Sequence, residues 1–355
     1  MSIYTQIAYL PIIFQVGHGK INNLQEILSS KNLKFNNILL LSGATHSNEM
    51  AKNISLEHLN HHEIVNDNTL EEVQRISEMV YINRYDLILA IGGGKVLDVA
   101  KRISQTQRIN HISIPTIISN DGLISPISVL KDNKGITQSV SGNMPTGVII
   151  DINLIEKAPI RYLQAAAGDI LSNMSATNDW FIAASNNKER VNDIGFQLSR
   201  MAAHSLINFD KIDLNSKHFL KMVIQGQVNS GIAMALSGSS RPCSGSEHLI
   251  SHAIDFLNVS KATLHGYQVG VLSLFCLFLQ KKLDKVHLQY ARKIKLTTDL
   301  DEIYQLDEKE WIEIFRVSRN MRPGRATILD KFSDKALLSK YSEFLTASHK
   351  VENNL

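Results

Sequence analysis

The chain has 355 residues, with 37 Lys plus Arg against 34 Asp plus Glu, a net charge of +3. Apolar residues make up 44% and charged residues 20%, the balance of a globular protein long enough to build two hydrophobic cores. So small a net charge, with no dense Lys/Arg stripe, argues against a nucleic-acid partner, and two cysteines, Cys243 and Cys276, exclude a disulfide framework and a four-cysteine zinc site.

The N-terminal stretch MSIYTQIAYL lacks the basic segment and apolar core of a signal peptide. Short apolar runs at Ile38–Leu41, Asp86–Ile91, His111–Pro115 and Val148–Ile150 read as strands. Leu70–Asn83 and Lys95–Gln105 between them carry helical patterns. Continuously apolar strands spaced by helices predict a parallel sheet covered on both faces. After about Asp151 the texture changes: Arg161–Ser185, Asn192–Phe209, Ser216–Ser237, Ser246–Leu257, Gly266–Lys282 and Leu283–Thr297 all read as helices. The longest uncharged apolar run, Gly266–Gln280, has 15 residues, short of the roughly 20 that span a bilayer, and reads as a buried core helix. The expected fold class is α/β plus all-α. A Rossmann-like parallel-sheet domain, residues 1–155, is followed by a C-terminal helical bundle, residues 156–355, with a ligand expected in the cleft between them. A cytoplasmic location is expected.

The run Asp86–Ile91 passes through Gly92-Gly93-Gly94-Lys95 into a helix. Three glycines let the backbone turn tightly and approach a ligand with no Cβ in the way, and a helix N-terminus suits a phosphate or pyrophosphate. The spacing is neither GxGxxG nor a P-loop, and a tight turn without ligand also fits it. The loop from Ser113 to Gly122, with its hydroxyls and an Asp, leaves the next strand at the end where parallel sheets bind ligands.

In the helical half, Ser244-Gly-Ser-Glu-His-Leu-Ile-Ser-His252 sets His248 and His252 four apart on one helix face. His265 follows a loop, and Gly168-Asp169 lies upstream in a helix beside the polar Ser172 and Asn173. One Asp and two imidazoles can hold a divalent ion with a position left open, whereas any of these histidines alone fits a core or surface role equally well.

The motifs together resemble the glycerol-1-phosphate dehydrogenase family, a branch of the iron-containing alcohol dehydrogenase and dehydroquinate synthase-like superfamily. They run in order: Ile91-Gly-Gly-Gly-Lys-Val-Leu-Asp98 with Lys101; Ile114-Pro-Thr-Ile-Ile-Ser-Asn-Asp-Gly-Leu-Ile-Ser-Pro126; Gly168-Asp169 with Ser172-Asn173 and Asp179-Trp180; Ser240 to Asp255; His265-Gly266 with Gln268-Val269-Gly270; and Arg322-Pro with Arg325. The resemblance implies a dehydroquinate synthase-like fold. It also implies reversible reduction of dihydroxyacetone phosphate to sn-glycerol 1-phosphate by NADH or NADPH, with one divalent metal per chain: zinc, or nickel or iron as in relatives. Carried over position by position, Gly92, Gly93, Gly94, Lys95, Val96, Asp98, Thr116, Ile117, Ile118, Ser119 and Ser125 would contact the dinucleotide. Asp169, His248 and His265 would hold the metal, Asp121 and His252 would act on the substrate, and Asp169 would lie against it. The implied partner is a small phosphorylated substrate, with no nucleic acid, no membrane span and a homo-oligomeric state.

The chemistry accords with these residue types: His252 can relay the proton that an alkoxide needs, and Arg241 can clamp a phosphate, although a surface arginine beside Pro242 fits the same spacing. Two departures stand out. Tyr267 occupies the place where the family usually has Glu, and Leu41-Ser42-Gly43 carries no acidic residue to bind an adenosine ribose, which leaves NAD against NADP open. A sugar-phosphate cyclase would carry Ser-Val-Gly-Gly-Lys after the Pro-Thr loop, where this chain has Ser119-Asn-Asp-Gly-Leu-Ile-Ser125. A polyol or alcohol dehydrogenase acting on an uncharged substrate, and a non-catalytic dinucleotide- or metal-binding sensor, are the other readings.

Overall fold

The computed structural model describes residues 8–30, 33–133, 135–186, 189–258 and 263–352. The first seven residues of the N-terminal stretch read above lie outside them. The chain forms two compact units, Ile7–Pro159 and Ile160–Leu355.

In the first unit the strands are β1 (Ile13–Gly17), β2 (Ile38–Gly43), β3 (Leu59–Val65), β4 (Leu87–Gly92), β5 (Asn110–Pro115), β6 (Ile127–Lys131), β7 (Thr137–Ser141) and β8 (Gly147–Asp151). The helices are α1 (Leu24–Ser29), α2 (His46–Ala51), α3 (Leu70–Asn83), α4 (Gly94–Gln107) and α5 (Ile152–Ile155). Six strands make one parallel sheet in the order β1-β8-β5-β4-β2-β3, and β6 and β7 form a separate antiparallel pair. Strands β2, β4, β5 and β8 are the four apolar runs of the sequence, and β2, β4 and β8 are buried along nearly their whole length, as interior parallel strands require. Ile38, Leu40, Leu87, Leu89, Ile91, Ile112, Ile114 and Ile149 share one sheet face with Leu24, Ile27 and Leu28 of α1 and Ala51 of α2. Strand β3, Leu-Asn-His-His-Glu-Ile-Val, lies at an edge, where polar side chains reach solvent; that explains why no apolar run marks it.

From β2 the chain crosses to β3 on one side, and from β4 it crosses to β5 on the other. The carboxyl ends of β2 and β4 are therefore the topological switch point, where open α/β sheets bind ligands. The glycine loop lies at one of those ends and Ser42-Gly43 at the other.

The second unit contains α6 (Ile160–Ser185), α7 (Asp193–Ile207), α8 (Lys217–Ser237), α9 (Ser246–Leu257), α10 (His265–Leu279), α11 (Lys285–Lys293), α12 (Asp301–Tyr304), α13 (Glu308–Ser318) and α14 (Asp334–Glu352). No strand occurs there among the described residues. Ser216 caps α8 by accepting hydrogen bonds from the amides of His218 and Phe219, and Gly238 ends it in the left-handed conformation at φ 58°. The apolar run Gly266–Gln280 falls in α10, buried on nearly every side. Among the described residues no helix is long and apolar enough to cross a membrane.

Candidate active site

Two helices that approach unusually closely build the candidate metal site. A Cβ on Gly168 of α6 would lie 2.6 Å from the Gly266 carbonyl oxygen, and one on Gly270 of α10 would lie 2.7 Å from the Cα of Gly168. Only glycine permits this contact, which carries Asp169, one residue along α6, up to His265 at the first turn of α10. Helix α9 reaches α6 in the same way. A Cβ on Gly245 would meet the Asp179 carboxylate at 2.7 Å and the Cα of Ala176 at 2.8 Å.

The outcome is a cluster in which one ligand atom each from Asp169, His248 and His265 lies within 4.8 Å of the others. The His248 and His265 rings stand edge to face at 5.0 Å between centroids, and His252, one turn along α9, stacks on His265 at 5.7 Å. Burial, before any charge, lowers the imidazole pKa of His248 and of His265 to about 3, and that of His252 well below its usual value. The rings are therefore neutral and offer lone pairs, the form a metal requires. A hard carboxylate and two neutral imidazoles suit a divalent first-row ion, so the residues present fit the group that the resemblance implies.

Behind the cluster stands Glu247, fully buried, whose Oε1 accepts hydrogen bonds from His248 Nδ1 at 2.9 Å and from the Gly245 amide at 2.6 Å. Its Oε2 accepts from Ser175 Oγ at 2.8 Å. A carboxylate on Nδ1 places the proton there and leaves Nε2 for a metal. Burial raises the Glu247 pKa to about 7 and that of its buried neighbour Asp179 to about 6. Asp179 accepts from the Ser246 and Ile328 amides, at 2.6 and 2.8 Å, and so ties α9 to the turn that follows α13. The Ser-Glu-His motif contained Glu247, but nothing in its spacing revealed the role. Tyr267, which stands in the family's glutamate position, accepts the Thr297 amide on its phenol oxygen at 3.1 Å, so that position serves packing while Glu247 supplies the carboxylate beside the ligands.

Arg241 departs from the phosphate clamp expected from sequence. It is 2% exposed; its Nε donates to Glu189 at 2.6 Å, Nη2 donates to the same carboxylate, and Nη1 donates to the Ala326 carbonyl at 2.9 Å. Its guanidinium is thus spent on an internal ion pair that joins Glu189 to the segment before the Ile328–Lys331 turn. Two further arginines, Arg322 and Arg325, lie half-buried in that segment.

In the α/β unit, Gly92 ends β4, Gly93 is the N-cap of α4 in extended conformation, and Gly94 opens the helix. No side chain caps α4, so its first amides are open to an acceptor, and a Cβ on Gly94 would meet nothing within 4 Å. A Cβ on Gly93 would lie 3.0 Å from the Ile117 side chain, so a larger residue would crowd the loop that follows β5. This open, side-chain-free cradle at the switch point fits a pyrophosphate.

Several other expected cofactor residues are engaged within the unit. Val96 is buried beneath Gly92 and Gly43. Asp98 pairs at 3.0 Å with the buried ammonium of Lys101, which also donates to the Ile127 carbonyl, so Asp98 belongs to the interior instead of the ligand surface. Lys95 is exposed and bonded to Asp67 at 2.9 Å. Thr116 donates its amide to the Gly92 carbonyl at 3.0 Å and so locks the two loops together, with Ile118 buried and Ile117 and Ser119 half-buried beside it. Ser125 is buried and hydrogen-bonds the carboxyl of the half-buried Asp121, whose pKa burial raises to about 6.

Residues 15–159 match the family model described as iron-containing alcohol dehydrogenase. Over 331 residues the chain is 34% identical to the glycerol-1-phosphate dehydrogenase (NAD(P)+) of Archaeoglobus fulgidus, covering 90% of this chain and 93% of that protein. It is 35% identical over 326 residues to the protein of the same name from Methanosarcina mazei, covering 90% of each. Among solved structures, a probable glycerol dehydrogenase from Sinorhizobium meliloti 1021 superposes with a TM-score of 0.79 at 21% identity, over 98% of this chain and 99% of that one. An iron-containing alcohol dehydrogenase superposes with a TM-score of 0.68 at 14% identity.

Proposed function

Because the chain belongs to the glycerol-1-phosphate dehydrogenase family, we propose that it catalyses the reversible reduction of dihydroxyacetone phosphate to sn-glycerol 1-phosphate, with NADH or NADPH as donor and a divalent metal as cofactor. The observation that carries the reading is the Asp169, His248 and His265 cluster within a chain that matches relatives of that name over nearly their full length.

The unit Ile7–Pro159 takes the dinucleotide and the unit beginning at Ile160 takes metal and substrate. Asp169, His248 and His265 hold the ion, which when bound polarises the ketone oxygen, and the nicotinamide supplies the hydride. Gly93, Gly94 and the open amides of α4 receive the pyrophosphate. His252, kept neutral beside His265, moves a proton between solvent and the substrate oxygen. Asp121 accepts a substrate hydroxyl, its carboxyl oriented by Ser125. With Ser42-Gly43 at the end of β2 and no carboxylate there, the adenosine side tolerates either dinucleotide. The protein works in the cytoplasm as a homo-oligomer, a setting in keeping with two buried cysteines, Cys243 and Cys276, that form no disulfide.

The test is optical. Oxidation of NADH and of NADPH is followed with dihydroxyacetone phosphate, before and after treatment with a chelator. The product is then offered to an enzyme specific for the sn-glycerol 3-phosphate enantiomer. Turnover that the chelator abolishes, with a product the second enzyme refuses, is the expected result. Absence of nucleotide oxidation, or phosphate release from a larger sugar phosphate without net loss of NADH, overturns the reading.

A further inference from the structure

Three guanidinium groups converge on the loop between α13 and the Ile328–Lys331 turn, and only one of them is neutralised. Arg241 is spent on Glu189. Arg322 Nη1 and Arg325 Nη2 both donate to the same oxygen, Ser240 Oγ, at 2.6 and 2.9 Å. Arg325 Nη1 donates to the Ser244 carbonyl at 2.7 Å. Among the described residues neither Arg322 nor Arg325 forms an ion pair with a carboxylate, and Nε and Nη2 of Arg322 and Nε of Arg325 make no hydrogen bond. Like charges held side by side in a half-buried setting repel and lose hydration. Burial, then Arg322 and Arg241, pull the Arg325 pKa down to about 9. A fold that keeps two such cations adjacent with donors unspent has an anion as their natural counter-charge. Their field reaches the histidine cluster, since Arg322 lowers the pKa of His248, His252 and His265 alike.

We propose that Arg322 and Arg325, held in register by Ser240, form the subsite that takes the phosphate monoester of the substrate and so select a phosphorylated ketone over an uncharged one. Planar guanidinium forks match phosphate oxygens in pairs, and Ser240, lying directly before Arg241, sets the spacing of the two forks. The placement also accounts for Arg241: its ion pair with Glu189 anchors Ala326, next to Arg325, and leaves the phosphate to its neighbours. The inference deepens the proposed reaction and rests on it for the identity of the ketone, although not for the anion.

The experiment uses the metal-loaded enzyme and the variants Arg322→Gln, Arg325→Gln and Arg325→Lys, each checked for metal content and melting temperature. The glutamine variants raise the KM for dihydroxyacetone phosphate by about 30-fold or more, as expected when one arm of a charge-assisted pair is removed. They weaken binding of inorganic phosphate in parallel. Arg325→Lys keeps the charge but loses the fork, and falls between them. If the folded variants bind inorganic phosphate and dihydroxyacetone phosphate as the parent does, the inference is overturned. If the parent enzyme fails to reduce dihydroxyacetone phosphate, yet binds inorganic phosphate through these residues, the reaction is wrong and the anion subsite stands. Should the variants not fold, a structure of the unaltered enzyme with glycerol 1-phosphate decides: phosphate oxygens within hydrogen-bond distance of both guanidinium groups support the subsite, and phosphate seated elsewhere ends it.

Discussion

Replacing Glu247 by Leu tests whether the carboxylate behind His248 holds that ring in place for a metal. The side chain is fully buried, and its loss strands two donors: the Gly245 amide, now bonded at 2.6 Å, and His248 Nδ1, now bonded at 2.9 Å. Ser175 is not stranded, because its hydroxyl also lies 3.0 Å from the Ser172 carbonyl and 3.0 Å from Ser273 Oγ. Each buried unsatisfied donor costs about 1–3 kcal/mol, so the fold weakens by roughly 2–6 kcal/mol. Freed of its acceptor, His248 samples other orientations and tautomers, and metal affinity falls by about 10–100-fold. Glu247→Gln retains an acceptor oxygen for both donors and turns its amide toward Ser175, so it stays within a few-fold of the parent. The assay is competition for zinc against a chromophoric chelator, with thermal melts run in parallel. A Leu variant that binds zinc as tightly as the parent, or a Gln variant that loses as much as the Leu variant, would refute the reasoning.

Other outcomes follow from the same geometry. His265→Ala removes a half-buried ring at the edge of the cluster, so metal content drops toward zero and activity with it while the melting temperature stays close to the parent; one bound metal per chain in the variant contradicts the ligand assignment. Gly93→Val sets a branched side chain against Ile117 in the pyrophosphate cradle, and NADH affinity falls about tenfold or more, measured by fluorescence titration. Gly168→Val forces α6 off α10, where even a Cβ would lie 2.6 Å from the Gly266 carbonyl oxygen; overpacking of about 1–3 kcal/mol lowers the melting temperature by several degrees and weakens metal binding, because Asp169 moves with the helix. For Asp121 the sign follows from its raised pKa. The folded state binds the proton more tightly, so this carboxyl favours the fold below about pH 4, and that contribution is lost as pH rises toward about 6. Asp121→Asn should therefore gain stability relative to the parent between about pH 4 and about pH 7, and melts in which the difference stays constant would exclude the shift.

Much of the architecture is legible locally. The four apolar runs become the four inner strands because a strand buried on both faces can contain little else. The glycine triplet is legible because a strand that turns directly into a helix with Gly93 as its N-cap leaves little room for a Cβ beside Ile117 and Val96. Edge strand β3 and the polar strand β7 escape notice, since their side chains face solvent and follow no apolar period. The His248 and His252 pair reads from helix spacing, and Asp169 reads as a possible carboxylate partner from the polar Ser172 and Asn173 beside it, while its role as a ligand comes only with the resemblance.

Pairing across distance belongs to the tertiary structure. The residues adjoining His248 do not reveal that Glu247 turns back onto its ring, nor does Pro242 reveal that Arg241 is already committed to Glu189. Arg322 and Arg325 enter from the sequence only as part of a motif, and become an unneutralised pair when Ser240 is brought between them. Periods of two and of 3.6 residues report which face of an element is buried. Which buried groups then meet is decided by how closely helices can approach, and here that distance is set by Gly168, Gly270 and Gly245.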